Sequence, residues 1–513
     1  MHAPYTTTYA TEGMVCTGER LASVAGVAML RAGGGAVDAA IAANAVLTVT
    51  HQHQCGLGGD AFALVYRPGD REPAVLNASG RAGSGADPDR LRRGGRVRMP
   101  ERGEVSVVPV PGCVDGWLAL HERFGRLALT EILEPARVYA ERGFPASPTL
   151  AAAVAALPRI PAAADYEEAG PLRAGSIVRR PGPARALAAI ALHGRAGFYQ
   201  GEFGERLLEL GAGEYTVSDL ARSNADWVEP LGVDVWGRRL WTVPPNSQGY
   251  LTLSSAWIAE RLSLPADPES PRWPHLLVEA ARQAAFDRDE VLHEGADGVA
   301  LLAPERLAPR AAAVDPDRAG APGGATRRGG TAFLCAADAG GMGVSLIQSN
   351  YMGFGSHLVV PGLGIFLQNR GAAFSLEPGH PTEYGPGRRP PHTLSPALVT
   401  RADGTLDCLV GTMGGDSQPQ TLLQLLARHL VADEGPAETI AAPRFVLARG
   451  AQVVLEGHAP DAWLRGLTER GHAVATEPSW ASTFGHAHLI VREGDLLAGA
   501  SDPRALGGAA LGY

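Results

Sequence analysis

The spacing of apolar residues predicts helices in the first part of the chain. Residues 20–49 are Ala-rich and have the period of two helices, interrupted by the three glycines at 33–35. The stretch "HQHQCGLGGDAFALVYR" at 51–67 is a Gly-rich turn that leads into a strand. Helical spacing returns at 129–142, where Gly143 and Pro145 predict its end, and at 273–292.

The pattern changes after a segment at 313–330 that is rich in Gly, Pro and Arg and has no hydrophobic period. Such a segment is typical of an exposed, mobile linker. Short strands follow at 331–338, 343–350 and 406–412, and a helix follows at 417–432. Strands packed under helices predict a layered α/β or α+β core.

Composition limits the classes of function. A chain of 513 residues allows two or three domains, although a large layered fold can hold this length as one. The net charge is −9 and the arginines are scattered, which argues against nucleic-acid binding. Five cysteines, an odd number, predict free thiols in a reducing compartment. With no signal peptide and no long apolar run, we expect a cytoplasmic protein that does not enter a membrane.

The junction Gly330–Thr331 has two interpretations. It is an ordinary turn before a strand, or it is a bond that the protein cuts in itself, so that Thr331 becomes a new N-terminus. A threonine hydroxyl needs a base beside it, and an N-terminal threonine carries that base as its own α-amine. The upstream linker and the strand that starts at Thr331 suit the second interpretation.

Self-cleaving hydrolases also need donors for a developing negative charge. In "LVGTMGGDSQPQTLL" a strand ends at Gly411, and Gly414 and Gly415 precede a helix. Free backbone N–H groups at such a turn can hold an oxyanion, and glycine lets a substrate come close. A purely structural glycine turn is the alternative.

Ordered stretches along the whole chain resemble the γ-glutamyltransferase family. They are "GGGAVDAAIAAN", "GLGGDAFALVY", "VPGCVDGWLALHERFG", "EPARVYAERGFPAS", "GFYQGEFGERLLE", "VPPNSQGYLTL", "SNYMGFGSHLVVPGLGIFLQNRG", "RRPPHTLSPALV", "GTMGGDSQPQTLLQLL" and "ASDPRALGGAALGY". The resemblance implies an α+β fold, a four-layer αββα sandwich of N-terminal-nucleophile hydrolases. It also implies self-cleavage into a large subunit, 1–330, and a small subunit, 331–513, which form one core as an αβ heterodimer or an (αβ)2 assembly, without metal or cofactor.

The resemblance assigns roles to individual residues. Thr331 matches the family nucleophile, and Gly414 and Gly415 match its oxyanion glycines. The hydroxyl that supports the nucleophile falls on Gln348, and Asn350 is retained; both are expected to face the site because they are two residues apart in a strand.

The glutamate-binding positions depart from the family. Where the family has an acidic residue for the α-amine, this chain has Ala373, in "RGAAF", preceded by Arg370. The family's serine pair falls on His392 and Thr393. The nearest equivalent of its arginine is Arg81, which is displaced by about two residues. Asp416, next to the glycines, is a further substrate-binding candidate.

The pocket should therefore favour a ligand carboxylate over an ammonium group. We expect a self-processing amidohydrolase that acts on a small anionic substrate through an acyl-enzyme. The alternatives are γ-glutamyl transpeptidation or glutathione hydrolysis, C–C bond hydrolysis of a keto-acid in antibiotic biosynthesis, and an uncut binding protein. His51, His53 and Cys55 could bind a metal, but no second pair of ligands at a zinc spacing accompanies them, and the alternative is that they line the turn. Asp60 is a candidate substrate contact or a cap of the turn.

Overall fold

The computed structural model describes residues 6–166, 171–320, 329–448 and 452–513. Its strands are β1 Thr8–Ala10, β2 Gly13–Thr17, β3 Asp60–Tyr66, β4 Ala74–Ala78, β5 Phe144–Pro145, β6 Ile177–Val178, β7 Asp226–Val228, β8 Leu231–Val235, β9 Arg238–Thr242, β10 Gly330–Asp338, β11 Gly343–Tyr351, β12 Val359–Val360, β13 Ile365–Phe366, β14 Ala397–Arg401, β15 Leu406–Thr412, β16 Phe445–Leu447, β17 Val453–Glu456, β18 Val474–Glu477, β19 Ala487–Glu493, β20 Leu496–Ser501 and β21 Ala509–Gly512.

The helices lie between these strands along the chain, singly or in groups, with five of the described ones following one another between β9 and β10. They are α1 Arg20–Arg31, α2 Ala36–Thr50, α3 Pro88–Arg93, α4 Cys113–Phe124, α5 Leu129–Ile132, α6 Glu134–Arg142, α7 Pro148–Ala155, α8 Pro181–Tyr199, α9 Glu202–Leu210, α10 Val217–Ala221, α11 Tyr250–Arg261, α12 Arg272–Ala285, α13 Arg288–Val291, α14 Gly298–Leu301, α15 Pro304–Ala312, α16 Gln418–Leu430, α17 Pro436–Ala441 and α18 Asp461–Glu469.

Two antiparallel sheets of seven strands form the centre of the molecule. One sheet has the order β21-β2-β10-β11-β3-β4-β7, and the other has the order β1-β20-β19-β15-β14-β9-β8. Strands from before and after residue 330 are therefore mixed in both sheets. An antiparallel sheet can leave one face to solvent, but here both faces of each sheet pack against a core.

Alternating residues of β10 show how the layers are built. Phe333 and Cys335 face a core between the two sheets, whereas Leu334 and Ala336 face a second core under helices α1, α2 and α4. A third core lies between the other sheet and helices α11, α12 and α16. The order helix, sheet, sheet, helix confirms the four-layer αββα fold that the resemblance implied.

Most of the elements expected from the sequence are present, with two differences. The helix predicted at 129–142 is divided at Leu133, because Pro135 in the first turn of α6 cannot continue the hydrogen bonding of α5. The helix predicted at 273–292 is divided between Ala285 and Arg288. The five cysteines are free and buried. Among the described helices, none is long and apolar enough to cross a bilayer.

The fold brings the end of the predicted linker to the middle of a sheet. Strand β10 lies between β2 and β11, and the register with β11 shifts between Gly330 and Ala332, so that Thr331 lies at an irregularity. Strand β15 of the facing sheet ends at Thr412, just before the glycine turn. Residues 321–328 of the predicted linker lie outside the described residues.

Candidate active site

Thr331 is in direct contact with a second hydroxyl. The side chain of Thr331, only 1% exposed, donates a hydrogen bond to Ser349 Oγ at 3.3 Å. Ser349 Oγ donates in turn to the carbonyl oxygen of Gly330 at 2.5 Å, and it accepts from the Tyr351 N–H at 2.7 Å. The hydroxyl of Thr331 and the carbonyl of Gly330 are thus connected through one serine hydroxyl.

The sequence predicted Gln348 at this hydroxyl position, but the residue that contacts Thr331 is Ser349, the next one along the chain. Gln348 exchanges hydrogen bonds with the backbone of Gly56, at 2.7 and 3.1 Å. Asn350 lies beside the same Gly-rich turn, where a Cβ on Gly59 would meet its Oδ1 at 2.4 Å. Both side chains lie on the face of β11 opposite to Ser349, because neighbouring residues of a strand point to opposite faces. The buried amide atoms of Asn350 have no partner among the described residues.

Gly414 and Gly415 form a tight turn between β15 and α16. Their φ angles are 146° and 61°, a region that glycine adopts easily and other residues do not. Their N–H groups have no protein acceptor in the part of the chain that the structure describes. The turn lies against the end of the linker, since a Cβ on Gly329 would come within 3.2 Å of Gly415 Cα. The turn predicted as an oxyanion hole is therefore next to the Gly330–Thr331 bond.

A cavity of about 740 Å³ opens beside this junction. Tyr351 and Asp416 line this cavity. Both also lie near Thr331, since Tyr351 pairs with Gly330 in the sheet and Asp416 follows Gly415 in the glycine turn. The wall includes Arg370, Arg288 and Ala373. A volume of this size is typical of a ligand-binding cleft.

Arg370 provides the cationic group that the sequence predicted. Its guanidinium is 2% exposed, lies 3.3 Å from the ring centroid of Tyr351 and donates to Thr393 Oγ1 at 2.8 Å. Burial lowers the pKa of Arg370, yet a guanidinium keeps its charge in a protein. Its Nε has no hydrogen-bond partner among the described residues. Thr393 thus orients Arg370.

A second arginine on the wall, Arg288, is not among the residues predicted from the sequence. It donates to Asp416 Oδ1 at 2.9 Å and to Gln248 Oε1 at 3.1 Å. Burial opposes its charge, but Asp416 and Asp289 outweigh that effect and raise the pKa of Arg288. No sequence signal distinguishes Arg288 from other arginines of surface helices. Asp416, a predicted substrate-binding residue, is therefore already in an ion pair.

His392 does not line the cavity, contrary to the prediction. Its Nδ1 accepts from the Leu394 N–H at 3.3 Å, so its Nε2 carries the proton and donates to Asp60 Oδ2 at 3.2 Å. Burial lowers the pKa of His392 to about 4, so the ring is neutral near pH 7. Asp60 also accepts from the Gly80 N–H and from Gln368. The pair joins β3 to the buried segment that precedes β14, away from the cavity wall.

Arg81 is also placed away from the cavity. Its guanidinium binds Glu294 at 3.3 Å and Asp226 at 3.2 Å, and it is absent from the cavity wall. The prediction that Arg81 binds a substrate carboxylate is therefore not supported by the geometry.

One group of potential metal ligands occurs elsewhere in the described part of the molecule. His275, Glu279 and His472 have ligand atoms within 4.8 Å of one another. Arg282, however, donates to Glu279 at 2.8 Å and lies 3.2 Å from Nδ1 of His472. A buried guanidinium at this distance competes with a cation, so the cluster is better described as a hydrogen-bonded network.

The family model of gamma-glutamyltranspeptidase, another name for γ-glutamyltransferase, matches residues 22–512. The chain belongs to this family. The earlier resemblance is thereby confirmed over almost the whole sequence, which includes both sides of the Gly330–Thr331 bond. Membership of the family was expected from ordered motifs, and the match extends through them.

Relatives in the family are hydrolases. The chain is 37% identical to the oxamate amidohydrolase proenzyme of Klebsiella pneumoniae subsp. pneumoniae, over 98% of this chain and 99% of that one. It is 36% identical to the glutathione hydrolase-like YwrD proenzyme of Bacillus subtilis, over 98% of each chain. The crystal structure of cephalosporin acylase from Bacillus halodurans superimposes with a TM-score of 0.92 at 33% identity, covering 100% and 98%. This family member is accordingly a hydrolase.

Proposed function

We propose that the chain cuts its own Gly330–Thr331 bond and that Thr331 then serves as the nucleophile of an amidohydrolase for small anionic amides. The observation that carries the proposal is the hydrogen-bonded series from Thr331 Oγ through Ser349 Oγ to the Gly330 carbonyl. It joins the attacking and the attacked group of one peptide bond. The proenzyme names of the relatives agree with it.

Self-cleavage would proceed by an N-to-O acyl shift. Thr331 Oγ attacks the Gly330 carbonyl carbon while Ser349 polarises the carbonyl oxygen. The C–N bond breaks, the hydroxyl proton ends on the Thr331 nitrogen, and an ester joins Gly330 to Thr331 Oγ. Water then hydrolyses the ester, which leaves a carboxylate on Gly330 and a free α-amine on Thr331.

Turnover would use that amine as the base. An α-amine has a pKa of about 7.7–8.0, so part of it is unprotonated near neutral pH. Thr331 Oγ attacks the substrate amide, and the N–H groups of Gly414 and Gly415 hold the oxyanion. The amine product leaves with a proton, and water releases the acyl group from Thr331.

The cavity wall favours a substrate with a carboxylate. Arg370 is buried, oriented by Thr393 and stacked on Tyr351, and Ala373 supplies no acid for a ligand ammonium. Arg288 adds a second positive charge to the same wall, although it is paired with Asp416. Oxamate, after which one of the relatives is named, unites an amide and a carboxylate and is the first substrate to test.

A denaturing gel and an ammonia assay test both parts of the proposal. The purified protein should give two bands, with a small fragment that begins at Thr331, and should release ammonia from oxamate. Thr331→Ala should stay as one band without activity. Thr331→Ser keeps the hydroxyl and should still cleave, whereas Ser349→Ala should cleave at least about 10-fold more slowly.

Two results would contradict the proposal. Normal cleavage of Thr331→Ala would show that another bond or residue is involved. Release of p-nitroaniline from γ-glutamyl-p-nitroanilide that is strongly stimulated by glycylglycine would instead indicate a γ-glutamyl transferase with an intact glutamate site.

A further inference from the structure

Three consecutive carbonyl groups of the glycine turn each accept a hydrogen bond from a side chain. Thr412 Oγ1 donates to Met413 O at 2.8 Å, and Ser417 Oγ donates to Gly414 O at 2.8 Å. Gln248 Nε2 donates to Gly415 O at 3.0 Å. A side chain thus holds each of the three peptide groups between residues 413 and 416.

These bonds determine where the amide protons point. In a trans peptide group the C=O and the following N–H are antiparallel. A donor on Met413 O therefore fixes the direction of the Gly414 N–H, and a donor on Gly414 O fixes that of the Gly415 N–H. Glycines are conformationally free, so a turn with φ angles of 146° and 61° needs such restraints to keep one arrangement.

Gln248 comes from the other side of the cleavage site and is itself tightly held. It is fully buried, its Oε1 accepts from Arg288, and its Nε2 also donates to Thr393 O at 3.1 Å. Its backbone N–H donates to His392 O at 2.8 Å. The amide group of Gln248 therefore contacts the glycine turn directly. It also contacts Thr393, which orients Arg370 in the cavity wall.

We propose that Gln248, Thr412 and Ser417 are positioning residues of the glycine turn. Thr412 and Ser417 aim the Gly414 and Gly415 N–H groups at the oxyanion of the substrate, and Gln248 fixes the next peptide group, between Gly415 and Asp416, so that Gly415 keeps its backbone angles. Gln248 acts from the larger of the two fragments. Donors that are fixed before the reaction stabilise a developing charge without reorganisation. This inference rests on the proposed function, because it concerns the hydrolysis that follows self-cleavage.

Self-cleavage itself should not depend on these three residues. The carbonyl oxygen of Gly330 is held by Ser349 and not by the glycine turn. Two different oxyanion sites are therefore used, Ser349 for the peptide bond of the chain and the glycines for substrate. Variants at these three residues should therefore cleave their own chain at the normal rate but hydrolyse the substrate slowly. A general loss of folding would impair both reactions.

Steady-state hydrolysis of oxamate by Gln248→Leu, Gln248→Glu and Ser417→Ala tests the inference. We expect kcat to fall about 10- to 100-fold in each while KM changes by less than about 2-fold, because the interaction is made in the transition state. Cleavage on a gel should proceed at the wild-type rate. Ser417→Thr keeps the hydroxyl and should retain most of the wild-type kcat.

Ser395→Ala is the matched control. Ser395 Oγ donates to Thr393 O at 3.2 Å, the same carbonyl that Gln248 contacts, and no bond joins its hydroxyl to the turn in the described structure. It should keep the wild-type kcat. If Ser395→Ala lost as much kcat as Gln248→Leu, the effect would come from the contact with Thr393. The proposal that Gln248 acts by holding the glycine turn would then be overturned.

The remaining outcomes also decide between the two proposals. One outcome is that the wild type hydrolyses oxamate while Gln248→Leu and Ser417→Ala show an unchanged kcat or only a raised KM. That result would overturn the inference and leave the proposed function standing. Failure of these variants to cleave would overturn the separation of the two oxyanion sites. A wild-type protein that leaves oxamate intact would overturn the proposed substrate class and the inference with it.

Discussion

At the scale of single residues, the Ser349 hydroxyl organises the junction. It accepts from Thr331, donates to Gly330 O and accepts from the Tyr351 N–H, so all three of its bonds lie within the junction. Gln348, one position earlier, has an amide of similar polarity but faces the opposite side of the sheet. Because strand faces alternate, a shift of one residue along β11 exchanges contact with Thr331 for contact with Gly56 on the opposite face.

A comparison of two arginines tests the anion-binding wall. Arg370→Lys should raise KM for oxamate about 10- to 100-fold with little change in kcat, since lysine cannot keep the flat contact with Tyr351 and the bond to Thr393. Arg81→Lys, which alters an arginine outside the cavity, should leave KM unchanged. Equal increases of KM in both variants would contradict this assignment. Initial rates of ammonia release measure both.

At the scale of elements, β15 of one sheet packs directly against β10 of the other. Gly411 faces the ring of Phe333, and a Cβ at Gly411 would lie 2.2 Å from Phe333 Cε2. The Phe333 ring also stacks on His488 at 6.1 Å. Phe333 is two residues from Thr331, and Gly411 is three residues from Gly414. Glycine at 411 thus allows β10 and β15 to come close together, and with them Thr331 and the glycine turn.

Gly411→Ala should therefore impair both stability and activity. The methyl group has no room unless Phe333 moves, and overpacking of this kind costs about 1–3 kcal/mol of the free energy of unfolding. Thermal denaturation and oxamate hydrolysis measure the two effects. The double variant Gly411→Ala with Phe333→Leu removes the clash and should recover most of the stability. A double variant less stable than either single one would show that the clash is not the cause.

At the scale of the whole molecule, the two predicted fragments interleave. In one sheet β10 and β11 lie between β2 and β3, and in the other β14 lies beside β9. Cleavage at Gly330–Thr331 would leave these strand pairings intact. The division into 1–330 and 331–513 therefore stays a prediction about the covalent chain and does not define two independent domains.

The cleaved fragments should stay together. We expect both to elute as one species in size-exclusion chromatography under native conditions, because separating them would expose the cores between the sheets. They should separate only in denaturant. Elution of a free small fragment at neutral pH without denaturant would contradict the interleaved arrangement.

Several buried histidines should make the protein unstable in acid. Burial lowers the pKa of His51, His472 and His488 to about 3 and that of His392 and His486 to about 4. Below pH 6.5 these groups bind protons in the unfolded chain but not in the folded one, so stability falls as pH decreases from 6.5 to 4. Each proton difference contributes roughly 1.4 kcal/mol per pH unit.

Urea denaturation between pH 7 and pH 4.5 measures this dependence. The free energy of unfolding should decrease steadily on acidification, and His472→Gln, which removes one titrating group, should make the dependence less steep. An equal slope in wild type and variant would show that His472 is not held neutral by burial.

The sequence by itself determined the family, the layered fold, the Gly330–Thr331 junction and the glycine turn. These depend on local features, namely apolar periods, glycines that permit close turns and motifs in a fixed order. It also predicted the replacement of a carboxylate by Ala373 and the presence of Arg370 nearby, since both are read from one motif.

Only the tertiary structure decided which side chains meet. Ser349 takes the position assigned to Gln348 because the register of β10 and β11 decides which residue faces Thr331. Arg288 and Gln248 reach the site from segments more than 100 residues away from the turn, and Arg81 and His392 are held elsewhere by Glu294 and Asp60. Spacing along a chain fixes which face a residue takes, whereas contact between distant segments depends on how the sheets and helices pack.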